Sequence, residues 1–264
     1  MSSYTSDYNA PYTQLNFRDI SNKSDKKLRA YQAFLRMSPN FQAFFWIRKP
    51  NAQKPTHITN LKPTLGHHKA SIANHLHLIP RAYQKLYSQL FEAFDYYCTS
   101  GSLGSGIDKF TFVVFLPYKT IDNQYSYIRQ TNTIHDYNQN NQVLSYLSWH
   151  DLVRPYRGEP LTFQIYMHQG SRFYELEAAI KRQANYDSFF PFSPKEIDIL
   201  KVYLNEPNLK AREVAKALEL ELTTVYTHNR NILGKANQHF SRPFRTMTQL
   251  ADFLGIYEIF STST

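Results

Sequence analysis

One short string constrains this chain more than anything else in it. Phe192-Ser193-Pro194-Lys195-Glu196-Ile197 is a helix start with all its parts in place. The Ser193 hydroxyl can accept from the free N–H groups of a first turn, and Pro194 at the first helical position gives up no hydrogen bond by lacking its own N–H. Glu196, three residues after the cap, completes a capping box, and Phe192 and Ile197 occupy the hydrophobic-staple positions. A helix begun here puts Ile197, Leu200 and Leu204 on one apolar stripe.

The residues that follow continue the helical reading. A second helix is expected over Ala211–Leu218, with Val214, Ala215 and Leu218 inward, and the turn Glu219-Leu220-Glu221 sends Leu220 into the core. A third is expected over Leu222–Ala236. Val225, Ile232 and Leu233 are apolar there, and Thr223, Tyr226, Thr227 and Arg230 fall on another face. Two short helices joined by a tight turn form a helix-turn-helix, whose second helix enters the DNA major groove. A last helix over Thr246–Leu254 carries Met247, Leu250, Ala251 and Leu254 at helical spacing, with Gly255 placed to stop it.

Three ordered blocks now carry a resemblance: Phe192–Glu196, Arg212-Glu213-Val214-Ala215, and Thr224-Val225-Tyr226-Thr227-His228-Asn229-Arg230-Asn231-Ile232-Leu233-Gly234-Lys235. Over residues 192–236 they resemble the LuxR-type (GerE-like) DNA-binding domain. The chain departs from that pattern in longer connections at Asn205–Leu209 and Asn237–Arg245, and in Glu221 where the family has a capping Ser. Gly234 costs the third helix about 1 kcal/mol relative to Ala. The resemblance implies that Tyr226, Thr227 and Arg230 reach base edges. Arg230 can fork onto guanine O6 and N7, and Thr227 can offer a methyl or a hydroxyl. Thr223, Thr224, Asn231 and Lys235 are then placed for phosphates, and His228 matches a position with a structural role. The family's fourth helix contributes to dimerisation, so a homodimer is expected.

The chain before Pro191 has a different texture. It holds most of the 20 Tyr and 19 Phe. Ser24–Met37 has helical periodicity, and Phe41–Ile47 and Thr56–Leu65 read as short strands. Arg81–Tyr97 returns to a helical pattern with Leu86, Leu90 and Phe94 recurring. Gly101–Gly106 is a break, and strands follow at Phe110–Leu116, Tyr125–His135 and Gln142–Leu152. Short polar connections make these antiparallel neighbours. Leu161–His168 adds a strand and Tyr174–Gln183 a connector helix.

This order of elements resembles the PAS sensor fold over about residues 28–152, with His75-Leu76-His77-Leu78-Ile79-Pro80 where many such domains carry a His-Pro-Asp-like turn, incomplete here because Arg81-Ala82 follows instead of an acidic residue. The expected architecture is an α+β PAS-like domain, an antiparallel sheet with short helices, followed by an all-α four-helix LuxR-type helix-turn-helix domain. The expected boundaries are a tail at 1–27, the sensor at 28–157, a strand and connector helix at 158–190, and the DNA-binding domain at 191–264.

Composition removes alternatives. At 42% hydrophobic and 19% charged, 264 residues suffice for two ordinary cores. The lone Cys98 can form no intrachain disulfide and no cysteine-rich metal cluster, which suits a reducing compartment. No secretory core and no membrane-length apolar run is present, so a cytoplasmic protein without membrane partners is expected. The net charge of +9 favours a polyanionic partner. Its distribution is uneven: residues 1–190 carry 21 Lys+Arg against 13 Asp+Glu, and residues 191–264 carry 9 against 8. Yet from Leu222 to Ala251 there is no carboxylate, while Arg230, Lys235, Arg242 and Arg245 give a local +4.

Other chemistry is not supported. His67, His68, His75 and His77 cluster in sequence, but no Cys or acidic residue lies among them to complete a zinc pattern. They read as solvated loop histidines, and no metal or cofactor is expected. Asp108, Asp122, Asp136 and Asp151 read as strand-end and turn residues. Gly101–Gly106 lacks the Lys-Ser/Thr of a phosphate loop, and no nucleophile elbow exists. The chain therefore reads as a one-component transcriptional regulator binding double-stranded DNA, with a small-molecule signal in the first domain, and not as an enzyme. Two alternatives keep the DNA-binding half. One makes the first domain an acyl-homoserine-lactone receptor, and the other makes it a protein-interaction module without a small ligand.

Overall fold

A computed structural model describes residues 43–49, 57–59, 72–100, 110–120, 122–167, 170–257 and 259–260. The expected tail, the helix at Ser24–Met37, His67, His68 and the Gly101–Gly106 break lie outside these residues. Six strands form one antiparallel sheet in the order β2-β1-β5-β4-β3-β6. They are β1 (Ala43–Arg48), β2 (His57–Thr59), β3 (Thr111–Lys119), β4 (Tyr125–Tyr137), β5 (Val143–Pro155) and β6 (Thr162–Tyr166).

The long strands are joined by turns whose chemistry is local. Asn123 and Asn141 take left-handed backbone, which Asn tolerates better than most residues. The Asn138 side-chain oxygen accepts from the Asn140 and Gln142 N–H groups, closing the β4–β5 hairpin. Register then follows, with Gln130 opposite both Val114 and His150, and Asn132 opposite both Phe112 and Ser148.

One face of the sheet is covered by α2 (Arg81–Thr99), preceded by the short α1 (Ile72–Leu78). Leu86, Leu90 and Phe94 are buried as their four-residue recurrence predicts. Phe94 stacks on Phe112 with centroids 4.4 Å apart, and Phe163 meets Phe112 at 4.5 Å. Helix α3 (Tyr174–Gln183) is fixed to β6 by Glu177, whose carboxylate accepts from the Ile165 N–H, from Arg172 through two bonds and from Lys181.

The C-terminal helices are α4 (Pro194–Asn205), α5 (Ala211–Ala217), α6 (Leu222–His239) and α7 (Met247–Ile256). The capping box is present, with Ser193 N–H donating to Glu196 at 2.7 Å. The buried stripe of α4 is rotated from the expected one. Glu196, Ile199, Leu200 and Tyr203 are buried, while Ile197 and Leu204 sit at its flank. Glu196 lies within that stripe, accepting from the Ser193 N–H of its own cap and from Lys235.

Helix α6 runs past Ala236 because Phe240 is buried beyond its end against Phe244 and Phe253. Gly255 does not stop α7. It lies within the helix, which ends at Ile256 and is capped by Tyr257, packed on Phe253 at 5.0 Å. Met247, Leu250, Ala251 and Leu254 are all buried, so that stripe closes the core. No helix among the described residues is long and apolar enough to cross a membrane.

Candidate functional site

Helix α6 divides cleanly by burial. Val225, Ile232 and Ala236 are buried and fix one side against α4, α5 and α7. The period of 3.6 residues then turns Thr223, Thr227 and Arg230 to the opposite side, flanked by Tyr226 and Asn231. All five are exposed, Tyr226 at 59% despite its size. Thr224 is half-buried beside them. A shallow, open depression of about 210 Å³ is lined by Thr223, Thr224, Thr227 and His228.

The side chains on this face are available. The Thr227 hydroxyl donates to the Thr223 carbonyl at 2.9 Å, which leaves its lone pairs and methyl facing outward. Arg230 makes no ion pair or hydrogen bond among the described residues. The absence of any Asp or Glu between Leu222 and Ala251 leaves its charge unopposed locally.

Lys235 is placed differently from the other six residues. Its ammonium donates to Glu196 at 2.6 Å. Burial alone would raise the Glu196 carboxyl, but the Lys235 ammonium and the Ser193 N–H outweigh it and hold it below the usual carboxylate range. Two residues between these outward-facing positions are turned partly inward. Asn229 donates to the Tyr203 hydroxyl at 2.9 Å, and His228 is half-buried with its Nδ1 unpartnered among the described residues.

A second polar constellation lies inside the sheet domain, and the histidine spacing did not announce it. His75 is 2% exposed on a helix, not in a solvated loop, whereas His77 is exposed. Its Nδ1 lies 2.9 Å from the Tyr118 hydroxyl and its Nε2 lies 2.8 Å from the Tyr87 hydroxyl. Tyr87 donates its only hydroxyl proton to Gln130 Oε1 at 2.8 Å. His75 must therefore donate through Nε2, and a neutral ring then accepts the Tyr118 proton at Nδ1.

The chain of bonds continues from Gln130 to Asn132 at 3.1 Å, where Ser148 also donates. His150 closes the cluster with its ring 5.5 Å from that of His75. Burial, and secondarily His75, holds His150 well below the ordinary histidine range, and burial drives Tyr118 well above the ordinary tyrosine range. The signal that could have revealed this cluster is polar residues at inward strand positions: Gln130 and Asn132 between Ile128 and Ile134, and Ser148 and His150 after Tyr146.

Asp151 is likewise no turn residue. It lies within β5, 7% exposed, and accepts from Arg129 at 3.0 Å and from the Trp149 indole at 2.5 Å. Among the described residues no group of His, Cys, Asp and Glu is arranged to hold a metal ion.

No family model matches the chain, and no curated protein matches it. Solved structures do resemble it. A phage VqmA in complex with DPO is 11% identical, with 91% of this chain and 93% of that chain covered at a TM-score of 0.34. VqmA of Vibrio cholerae, described as a LuxR-type receptor, is 10% identical over 87% of this chain and 88% of its own at 0.32. SdiA of Escherichia coli is 14% identical over 90% and 92% at 0.26. Likeness at this level leaves the fold and function of the chain to be read from its own residues.

Proposed function

We propose that this chain is a sequence-specific DNA-binding transcriptional regulator of the one-component kind, not an enzyme. The observation that carries the reading is the outer face of α6. Thr223, Tyr226, Thr227, Arg230 and Asn231 stand exposed on the second helix of a helix-turn-helix, in a segment with no carboxylate. Tyr226, Thr227 and Arg230 read base edges, while Thr223, Thr224 and Asn231 meet phosphates. Lys235 joins them only by releasing Glu196. The resemblance of this segment to LuxR-type domains supports the same assignment and a homodimer on paired half-sites.

The strand order β2-β1-β5-β4-β3 and the helices packed on one face support a PAS-like sensor for the first domain, with β6 added at its edge. The His75 network is where a small polar ligand would exchange hydrogen bonds with the protein. A ligand that favours one arrangement of the network would shift the population of binding-competent molecules.

The test is selection from random-sequence DNA with the full chain, followed by gel-shift titration of Arg230→Ala on the selected site. Specific binding by the parent chain and its loss in the variant is the expected result. Undiminished specific binding by the variant would show that α6 does not present the readout face as assigned.

A further inference from the structure

We propose that the turn between β5 and β6, centred on Gly158, positions α6. It holds the C-terminal end of the recognition helix from the sheet side, so that the readout face cannot swing independently of the sheet. The inference rests on the DNA-binding reading above for its consequence, but not for its geometry.

Gly158 has φ +91°, and a Cβ at this position would lie 2.7 Å from the carbonyl oxygen of Phe240, the residue that caps α6. Only glycine lets the turn and the helix end approach this closely. The turn is itself rigid. The buried Glu159 carboxylate accepts from the Arg157 N–H at 2.6 Å and from Arg154 Nε at 3.0 Å. Arg154 also donates to the hydroxyl of Tyr257, the cap of α7, at 3.3 Å, and lies 5.3 Å over the Tyr127 ring. Phe253 of α7 completes the contact by packing on Phe240 at 5.1 Å. The turn thus meets the ends of α6 and α7 together.

The other end of this connection is the buried polar network. Strand β5 contributes Ser148 and His150 to that network and Arg154 to the turn. Four residue steps along β5 lead from His150 to Arg154, about 13 Å at about 3.3 Å per residue. The strand stays paired to β4 on both sides of a bulge at Val153, where the register passes from Ile128–Leu152 to Tyr127–Arg154, and so carries a displacement from His150 toward the turn. A rearrangement around His150 therefore reaches the end of α6 through β5 and Gly158, without passing through the connector helix α3.

The experiment compares Gly158→Ala with Gly170→Ala in the full chain. Gly170 has φ +81°, but a Cβ there meets nothing within 4 Å. Both variants carry the left-handed backbone penalty, and only the first presses on α6. Hydrogen exchange over residues 236–242 reads the helix end without DNA, and titration of the selected DNA site reads the consequence.

Gly158→Ala should raise exchange over 236–242 by about tenfold and weaken specific binding by about as much, while Gly170→Ala stays within about twofold of the parent in both. Equal exchange in the two variants overturns the proposal. Should Gly158→Ala fail to fold, Tyr257→Phe removes the Arg154 acceptor at constant shape. It should raise exchange over 253–257 by about fivefold, and no change there overturns the proposal. If exchange responds as stated but the parent chain selects no DNA, the grip on α6 stands and the DNA-binding reading falls.

Discussion

The polar residues of the sheet interior and those of the α6 face are alike in kind and opposite in use. Between the sheet and the helices on its face, His75, Tyr87, Tyr118, Gln130, Asn132 and Ser148 hydrogen-bond one another and are buried. On α6, Thr223, Tyr226, Arg230 and Asn231 face outward and leave most of their hydrogen-bonding capacity open. The difference teaches how to separate stability from recognition here. A buried polar group needs its partner because desolvation is otherwise uncompensated, whereas an exposed one has water until a partner displaces it. Mutations in the first set should act on folding, and those in the second on binding.

The largest expected effect is at His75. His75→Ala leaves the Tyr118 hydroxyl without its acceptor and the Tyr87 hydroxyl without its donor, and it opens a cavity beneath α1. Each buried group left unmade costs about 1–3 kcal/mol, so a loss of about 3 kcal/mol is expected in urea unfolding. A loss below about 1 kcal/mol would mean that the network is not the internally satisfied unit described, and the contrast with α6 would collapse.

Arg230→Ala comes next and should behave in the opposite way. Unfolding stability should change by less than about 0.5 kcal/mol, as for exposed positions elsewhere. Specific DNA binding should weaken by about 1–3 kcal/mol, roughly fivefold to 150-fold, with relaxed preference at one base position. A loss spread evenly over all sequences would instead mark Arg230 as a phosphate contact.

The two sets were also unequally legible. The α6 face could be read because its members lie within nine residues and share one helical period, and because the cap at Ser193 and the turn at Leu220 set the frame around it. The strands β3, β4 and β5 were legible for a similar reason, since β-branched and aromatic runs were bounded by Asn-rich turns. The sheet cluster could not be read so directly. His75 meets a Tyr 43 residues away and another 12 away, on different elements. Nothing in the neighbourhood of His75 distinguishes it from His77, which is exposed. Gly255 misled because a glycine stops a helix only when the next turn has no packing to gain, and Tyr257 has it on Phe253. Glu196 and Lys235, 39 residues apart, were each assigned a local role, and their pairing became visible only when α4 and α6 were brought together.

Acid should separate the regions again, by a smaller margin. Burial lowers the folded-state pKa of His150 well below its ordinary 6.5, so the unfolded chain binds more protons than the folded one below that pH. The contribution of a neutral His150 is therefore fully present above about pH 7.5. It is lost progressively as pH falls through 6.5 toward the folded-state value. Burial lowers His239 in the same direction. Urea midpoints should therefore be lower at pH 5.5 than at pH 7.5. The pH dependence should shrink in His150→Gln and persist in Arg230→Ala. A pH profile indifferent to His150 would move the acid sensitivity out of the sheet interior.

Lys235 gives the smallest effect and the finest test, because it stands on the border between the two uses. Its side chain is 40% exposed, on α6, yet its ammonium is engaged by the buried carboxylate of Glu196. A half-exposed ion pair of this kind is screened by solvent and contributes at most about 1 kcal/mol. Lys235→Met should therefore lower stability by about 0.5 kcal/mol and leave the slope of log binding constant against log salt unchanged. A slope reduced by about one unit would show that Lys235 releases Glu196 when DNA arrives and neutralises a phosphate. Glu196→Gln separates the two outcomes further. It removes the competing charge, so a lysine committed to the fold leaves DNA affinity where it was, and a lysine shared with phosphate raises it.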